Sequence, residues 1–187
     1  MNWKLPAVCM IWTLATAQAQ DLAQALDSVA RTATVMVDGD LCLRIQTDRS
    51  RGFMMKTDPR DPYLASDNYD VDHEAFTRTK KTLMRLGRLC PTACDVNLWL
   101  PLDAGRTRVQ VMIRNVHEMS SFWKWGDLHQ PMPPQMKRVL DSGERVTVTG
   151  PGGKVSVLAP VRNSLDDVVG IIEVVAQQKV DPQENVK

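Results

Sequence analysis

The sequence predicts an α+β protein in which an N-terminal helix and a second helix pack against an antiparallel sheet. Residues 21–32 and 72–89 repeat apolar side chains every three or four positions, which is typical of helices with one buried face. From residue 96 onwards, short runs alternate apolar and polar residues, as antiparallel strands do. With 187 residues, of which 43% are hydrophobic, the chain has the size of one ordinary domain.

The first helix is expected to begin at Asp21, a residue that suits a helix N-terminus, and to end near Thr32. Residues 35–37 then lead into the turn Asp38-Gly39-Asp40. Residues 41–45 alternate Leu, Leu and Ile with Cys and Arg, which predicts a strand after this turn.

The middle of the chain predicts a long polar loop over residues 47–72, followed by the second helix over residues 72–89. Asp72 and Glu74 lie where the positive end of that helix dipole would be. The basic residues of this helix lie largely off its apolar stripe, so we expect them to face solvent.

The second half of the chain predicts most of the sheet. Residues 96–102 and 109–113 read as a hairpin, and an aromatic and Met-rich connection follows over residues 116–134. A short helix over residues 134–141 begins with Pro and is closed by Gly143. Three further strands are expected at residues 145–149, 154–161 and 168–175.

The N-terminus predicts a cleaved secretory signal over residues 1–19. Lys4 precedes an apolar run over residues 5–17, and Ala17-Gln18-Ala19 offers a cleavage site after Ala19. A retained membrane anchor is the alternative, but this run is shorter than the roughly 20 residues that span a bilayer. We therefore expect a periplasmic or secreted domain over residues 20–178, no membrane span after cleavage, and a polar tail over residues 179–187.

The cysteines predict one disulfide in an oxidising compartment. Cleavage removes Cys9 and leaves Cys42, Cys90 and Cys94, so one thiol stays unpaired. A bridge from Cys42 would close a long loop and contribute about 4 kcal/mol, against about 2 kcal/mol for a bridge from Cys90 to Cys94. The short bridge requires a non-helical loop, which Pro91 makes plausible.

Thiol redox or metal chemistry at Cys90 and Cys94 is an alternative to a structural disulfide. The spacing of the two cysteines is not specific for either, because thioredoxin-type sites use CxxC and structural zinc sites usually pair two such knuckles. We predict a structural disulfide, with neither a cofactor nor a metal site.

The closing segments carry a resemblance to a known family. They read Gly143-Glu-Arg-Val-Thr-Val, Val155-Ser-Val-Leu-Ala-Pro-Val and Val168-Val-Gly-Ile-Ile-Glu-Val-Val. These resemble the closing strands of extracellular sensor modules of the Cache type, in the PAS-like superfamily, and are similar to GAF domains as well. The resemblance covers residues 72–175 in element order. It implies a small-molecule-binding or sensory accessory module, which without an output domain of its own would signal through a separate signalling or envelope protein.

The same resemblance implies a ligand between the sheet and the connecting segment at residues 115–130. Trp supplies apolar walls and a face for cations, Arg binds carboxylates in bidentate fashion, and His exchanges protons near neutral pH. The candidate ligand-binding residues are Trp99, Arg114, His117, Trp123, Trp125 and His129.

The sequence also bears on three other function classes: a structural or protein-interaction module, an enzyme and a nucleic-acid-binding protein. The aromatic and Met side chains equally suit a filled core, which would make the chain a structural or protein-interaction module. No GxSxG, HExxH or P-loop motif occurs, so we expect no catalytic residues. Lys and Arg number 23 against 22 for Asp and Glu, a balance that gives no reason to expect a nucleic-acid partner.

Overall fold

The structure is a computed structural model that describes residues 8–56, 60, 70–124 and 127–178, and only the backbone of residues 8–19. The helices of the described residues are α1 (Val8–Met36), α2 (Gly39–Ile45), α3 (Asp48–Met54), α4 (His73–Gly87) and α5 (Pro134–Ser142). The strands are β1 (Cys94–Pro101), β2 (Arg108–Ile113), β3 (Gln130–Pro131), β4 (Val146–Thr149), β5 (Lys154–Arg162) and β6 (Val168–Gln177).

The six strands form one antiparallel sheet in the order β3-β2-β1-β6-β5-β4. The predicted hairpin is β1–β2, in which Leu100 lies opposite Gln110. Strand β6 joins this hairpin to the β4–β5 hairpin by pairing with β1 on one side and β5 on the other. The predicted α+β class and antiparallel sheet are therefore confirmed.

The larger hydrophobic core lies between one face of the sheet and the helices α1, α2 and α4. Each fully buried Leu or Ile side chain in such a layer contributes about 1.5–3 kcal/mol. Buried members of this core include Leu26, Ala30, Ile45, Leu83, Val96, Leu98, Val157, Ile172 and Val174.

A smaller core lies on the opposite face of the sheet, under α5. As predicted, Pro lies at the start of this helix and Gly143 ends it, with a left-handed φ of 69° and its N–H donating to the Val139 carbonyl at 2.9 Å. The buried members of this core are Trp99, Val109, Met136, Val139, Leu140, Leu158 and Ile171.

The predicted strand at residues 41–45 is wrong, because this segment forms α2. Asp38 caps the helix by accepting a hydrogen bond from the Leu41 N–H at 3.0 Å. Leu41, Cys42 and Ile45 are buried, which is the spacing of a helix and overrides the apparent two-residue alternation.

Two helices have boundaries that differ from the prediction, and one further helix was not predicted. Helix α1 runs from Val8 to Met36 instead of from Asp21 to near Thr32, so its backbone is unbroken through Ala19, where cleavage is predicted. Helix α3 lies within the predicted loop, where Thr47 caps it through the Ser50 N–H. Helix α4 begins after Asp72 as predicted but ends at Gly87, and Leu89 beyond it is exposed.

Of the disulfide pairings considered, the structure contains the local one, between Cys90 and Cys94, with their Cα atoms 6.3 Å apart. The chain between the two cysteines is non-helical, as this bridge requires. Cys42 is a free thiol on α2, inside the larger core. Burial raises the pKa of this thiol to about 12, so Cys42 stays protonated and unreactive in the folded protein.

None of the helices in the described part of the chain is both long enough and apolar enough to cross a bilayer.

Gly39, at the start of α2, is packed against the turn between β5 and β6. A Cβ at this position would collide with the Arg162 carbonyl oxygen and the Asn163 backbone nitrogen, neither of which can swing aside. We expect Gly39→Ala to lower the free energy of unfolding by about 1–3 kcal/mol, because overpacking forces the backbone to shift.

Gly52 in α3 supplies the matched control, since a Cβ there meets nothing within 4 Å. Gly52→Ala should raise the free energy of unfolding by about 0.5–1 kcal/mol through its better helix propensity. Urea denaturation of both variants measures the difference, and effects of the same sign would contradict the observed packing of α2.

Candidate functional site

The segment between β2 and α5, residues 114–133, crosses the face of the sheet that α5 also covers, and we call it the connector. The structure describes all of it except residues 125 and 126. Its first half is attached to β1 by two buried polar side chains. The Asp95 carboxylate accepts hydrogen bonds from the backbone N–H groups of His117 at 3.1 Å and Met119 at 2.7 Å. The Asn97 side chain accepts from the Asn115 N–H at 3.1 Å and donates to the Met119 carbonyl at 2.7 Å.

The carboxylate of Glu173 in β6 is the centre of the polar network under the connector, and its residue is 0% exposed. Glu173 Oε1 accepts from the Ser121 N–H at 2.8 Å and the Ser156 hydroxyl at 2.8 Å. Glu173 Oε2 accepts from the Ser120 hydroxyl at 2.7 Å and the Trp99 indole N–H at 3.0 Å, with the Asn97 amide at 3.4 Å. Hydrogen-bond donors thus replace the water that this buried carboxylate has lost.

Ser120 transmits this anchoring to the aromatic residues of the connector. Its hydroxyl oxygen accepts hydrogen bonds from the backbone N–H groups of Phe122 and Trp123, both at 3.0 Å. Phe122 in turn meets the buried Trp99 ring edge to face, with 6.4 Å between the ring centres. The space between the sheet and this half of the connector is therefore filled by protein side chains.

A cleft of about 500 Å³ opens beside this anchored region, along the outer edge of β2, and we call it the edge cleft. Within the described residues, β3 pairs only with Arg108 and Val109, so β2 has no strand neighbour on this side beyond Val109. The cleft is lined by Met54, Phe76, Lys80, Gln110, Val111, Met112, Arg114, Asn115, Glu118, Trp123, Asp127 and Leu128.

The polar wall of the edge cleft carries two cations and two carboxylates. The Arg114 guanidinium lies 4.1 Å from the centre of the Trp123 ring and 3.7 Å from the Glu118 carboxylate. Lys80 Nζ lies 5.7 Å from the centre of the Phe76 ring on the helical side. Asp127 supplies the second carboxylate. The site can thus offer charged groups of both signs beside aromatic and thioether surface.

The structure brings together only some of the predicted ligand-binding residues. Arg114 and Trp123 line the edge cleft, whereas Trp99 is 1% exposed inside the smaller core. The exposed His117 lines a separate hollow of about 200 Å³ next to the disulfide. Trp125 lies outside the described residues.

His129 has both ring nitrogens engaged. Its Nδ1 accepts a hydrogen bond from Arg108 Nε at 2.8 Å, which leaves Nε2 to donate to the Met54 carbonyl oxygen at 2.8 Å. Burial and the nearby Arg108 charge lower the pKa of His129 below 6.5, although the bond to Met54 acts in the other direction. His129 thus links the connector to α3 and β2 as a neutral ring.

The sequence did not point to the buried carboxylates of Asp95 and Glu173, nor to Phe76 and Lys80, which line the edge cleft from α4. Glu173 interrupts the apolar run Ile-Ile-Glu-Val-Val, and a lone acid in such a run is a usable signal of a buried polar centre. Phe76 and Lys80 carry no comparable signal, because only the packing of α4 places them beside β2.

Neither a scan against models of known protein families nor a search of curated proteins gives a match to the chain. Among the described residues, no three His, Cys, Asp or Glu side chains come together in a group that could hold a metal ion.

Replacement of Glu173 tests the anchoring of the connector. In Glu173→Gln, one acceptor oxygen becomes an amide nitrogen that cannot accept, so a donor that cannot turn away, such as the Ser121 backbone N–H, loses its acceptor. We expect the free energy of unfolding to fall by about 2–4 kcal/mol, measured by urea denaturation. Glu118→Gln, at an exposed carboxylate, should change it by less than about 0.5 kcal/mol. Equal losses in the two variants would contradict the role of Glu173.

The lowered pKa of His129 predicts a pH dependence of stability. Well above pH 6.5 the ring is neutral in both the folded and the unfolded chain, and its contribution to stability is complete. As the pH falls below this value, the unfolded chain binds the proton more readily, so the free energy of unfolding decreases until the folded-state pKa is reached. His129→Gln should flatten this part of the stability profile, whereas His117→Gln should leave it in place. An unchanged slope in His129→Gln would refute the assignment.

Proposed function

We propose that the chain is a small-molecule-binding accessory module of the Cache type in the PAS-like superfamily, with the edge cleft as its ligand site. The closing strands β4, β5 and β6 carry the resemblance on which the family assignment rests. Antiparallel sheets flanked by helices occur in several superfamilies, so the functional part of the proposal rests on the cleft and not on the fold.

The observation that carries the proposal is the composition and size of the edge cleft. Its volume of about 500 Å³ is within the range of ligand sites, which is about 300–1,000 Å³. Six of the twelve lining residues are apolar or aromatic, among them Met54, Phe76 and Leu128, and six are polar, among them Gln110 and Arg114. Apolar and aromatic surface provides area for an organic ligand, and the polar groups can fix its orientation.

The anchoring of the connector supports the same proposal. Trp123 and Asn115 line the cleft, and each is held through its backbone N–H by a side chain that is itself bonded to the sheet. A wall that is ordered before the ligand arrives avoids part of the entropic cost of binding.

The cellular role follows as a further part of the proposal. The N-terminal pattern supports export to the periplasm or secretion, and the disulfide between Cys90 and Cys94 suits an oxidising compartment. A separate signalling or envelope protein would then receive the information that a ligand has bound.

A structural or protein-interaction module is the second candidate. The filled space under the connector favours it, since Trp99, Phe122 and the Glu173 network occupy the place where the family resemblance implied a ligand. The two candidates differ in whether the edge cleft takes a small molecule.

Ligand screening of the full chain by thermal shift distinguishes these candidates. The panel pairs benzoate, octanoate and indole-3-acetate with the corresponding amides and amines, and includes haem. A ligand at a hundred times its Kd contributes about 2.7 kcal/mol, which corresponds to a rise in Tm of roughly 5–10 °C at this chain length.

A matched pair of variants assigns the binding to the cleft. Val111→Phe adds volume inside the edge cleft and should abolish the shift, whereas Val116→Phe, at an exposed valine outside the cleft, should preserve it. The absence of any stabilising compound, or an equal shift in both variants, would favour the interaction module and overturn the ligand proposal.

A further inference from the structure

Helix α4 presents a second charged surface on the side away from the edge cleft. A groove of about 320 Å³ runs between α4, the C-terminal end of α1 and the start of α2. The groove is lined from α4 by Arg78, Lys81 and Arg85. Met36 and Leu41 contribute apolar surface to its lining. We call this the α4 groove.

The cations of the α4 groove are only partly neutralised. Arg78 pairs with Glu74 at 3.5 Å. Within the described part of the chain, Lys81 and Arg85 form no ion pair with an Asp or Glu side chain. Asp38 is the acidic residue that lines the groove, and its carboxylate already accepts from the Leu41 N–H at 3.0 Å. The groove therefore has a local positive excess on a chain whose total charge is +1.

The three cations follow one face of α4 at spacings of three and four residues, so they extend over about 10 Å of helix. A row of this length suits an elongated polyanion better than a single small anion. Met36, 59% exposed, adds an apolar contact at one end of the row. Arg and Met are both enriched at protein interfaces.

We propose that the α4 groove docks an acidic protein segment that carries an apolar residue beside its carboxylates. The carboxylates pair with Lys81 and Arg85, and the apolar side chain packs against Met36. A lipid surface fits less well, because the apolar face of α4, including Leu83 and Leu86, is buried and cannot insert into a membrane. Nucleic acid fits less well because the groove lining holds no aromatic ring on which a base could stack.

The test uses the full chain and a fluorescein-labelled twelve-residue peptide of alternating Glu and Leu, with the same peptide carrying Lys in place of Glu as its counterpart. Fluorescence anisotropy should show micromolar binding of the acidic peptide, weakened at least tenfold by 0.5 M NaCl, and no binding of the basic one. A 20-base-pair DNA and vesicles of phosphatidylglycerol report on the other two classes of polyanion. Preferential binding of either, with the peptide unbound, would overturn the proposal.

Matched variants locate the binding. Lys81→Glu combined with Arg85→Glu should weaken the peptide at least tenfold, and the neutral pair Lys81→Gln with Arg85→Gln should weaken it less. Lys124→Glu with Arg138→Glu changes the total charge by the same amount outside the groove lining and should have little effect. Met36→Gln should weaken binding about threefold or more, whereas Met84→Gln, at another exposed methionine, should not. Equal losses in groove and control variants would show binding by total charge alone and refute a docking site.

The proposal is independent of the ligand site. Val111→Phe in the edge cleft should bind the acidic peptide as tightly as the unaltered chain does. A negative binding result at one site would therefore not contradict the proposal for the other site.

Discussion

The position of the connector on the sheet depends on the hydrogen bonds that the Glu173 carboxylate accepts. Glu173 lies in β6, the strand that joins the two hairpins of the sheet, and is fully buried. A buried charge of this kind is tolerated only when donors surround it, and here the donors come from β1, β5 and the connector. The need to satisfy one acid therefore fixes the connector on the sheet, and through Ser120 it fixes the position of Trp123 in the edge cleft.

The elements that could be predicted from sequence are those whose local pattern agrees with their tertiary surroundings. The sequences of β1 and β2 alternate apolar with other residues as strands do, although β1 is buried on both faces, and α5 is marked by its Pro and by Gly143. Residues 41–45 read as a strand because alternate positions are apolar, although the buried set in the structure includes the adjacent pair Leu41 and Cys42. Five residues contain too few periods to separate a spacing of two from one of 3.6, and the packing of α2 against α4 decides the outcome.

The candidate site could be predicted only where its residues come from a locally distinctive segment of the sequence. Trp123 belongs to an aromatic and Met-rich segment and Arg114 comes just before it, so sequence alone pointed to both. Lys80 and Phe76 reach the same cleft from a helix some 30 positions earlier, and periodicity carries no information about which strand a helix edge will touch. His129 is the reverse case: its chemistry suits a ligand site, and its two hydrogen bonds join it to Arg108 and to the Met54 carbonyl.

Helix α4 joins the two proposed sites, since Lys80 lines the edge cleft and Lys81 lines the α4 groove. The C-terminal end of α4 leads into the disulfide of Cys94, and the next residue, Asp95, holds the connector that forms the opposite wall of the cleft. The links in this path are a packed helix, the covalent chain with its disulfide, and part-buried hydrogen bonds. Transmission of a signal from one site to the other by a change of shape would require one of these links to have two stable positions. The fact that both sites lie on α4 does not show that such positions exist. On these contacts, the proposed ligand site and the proposed docking site lie in fixed geometry on two sides of one helix.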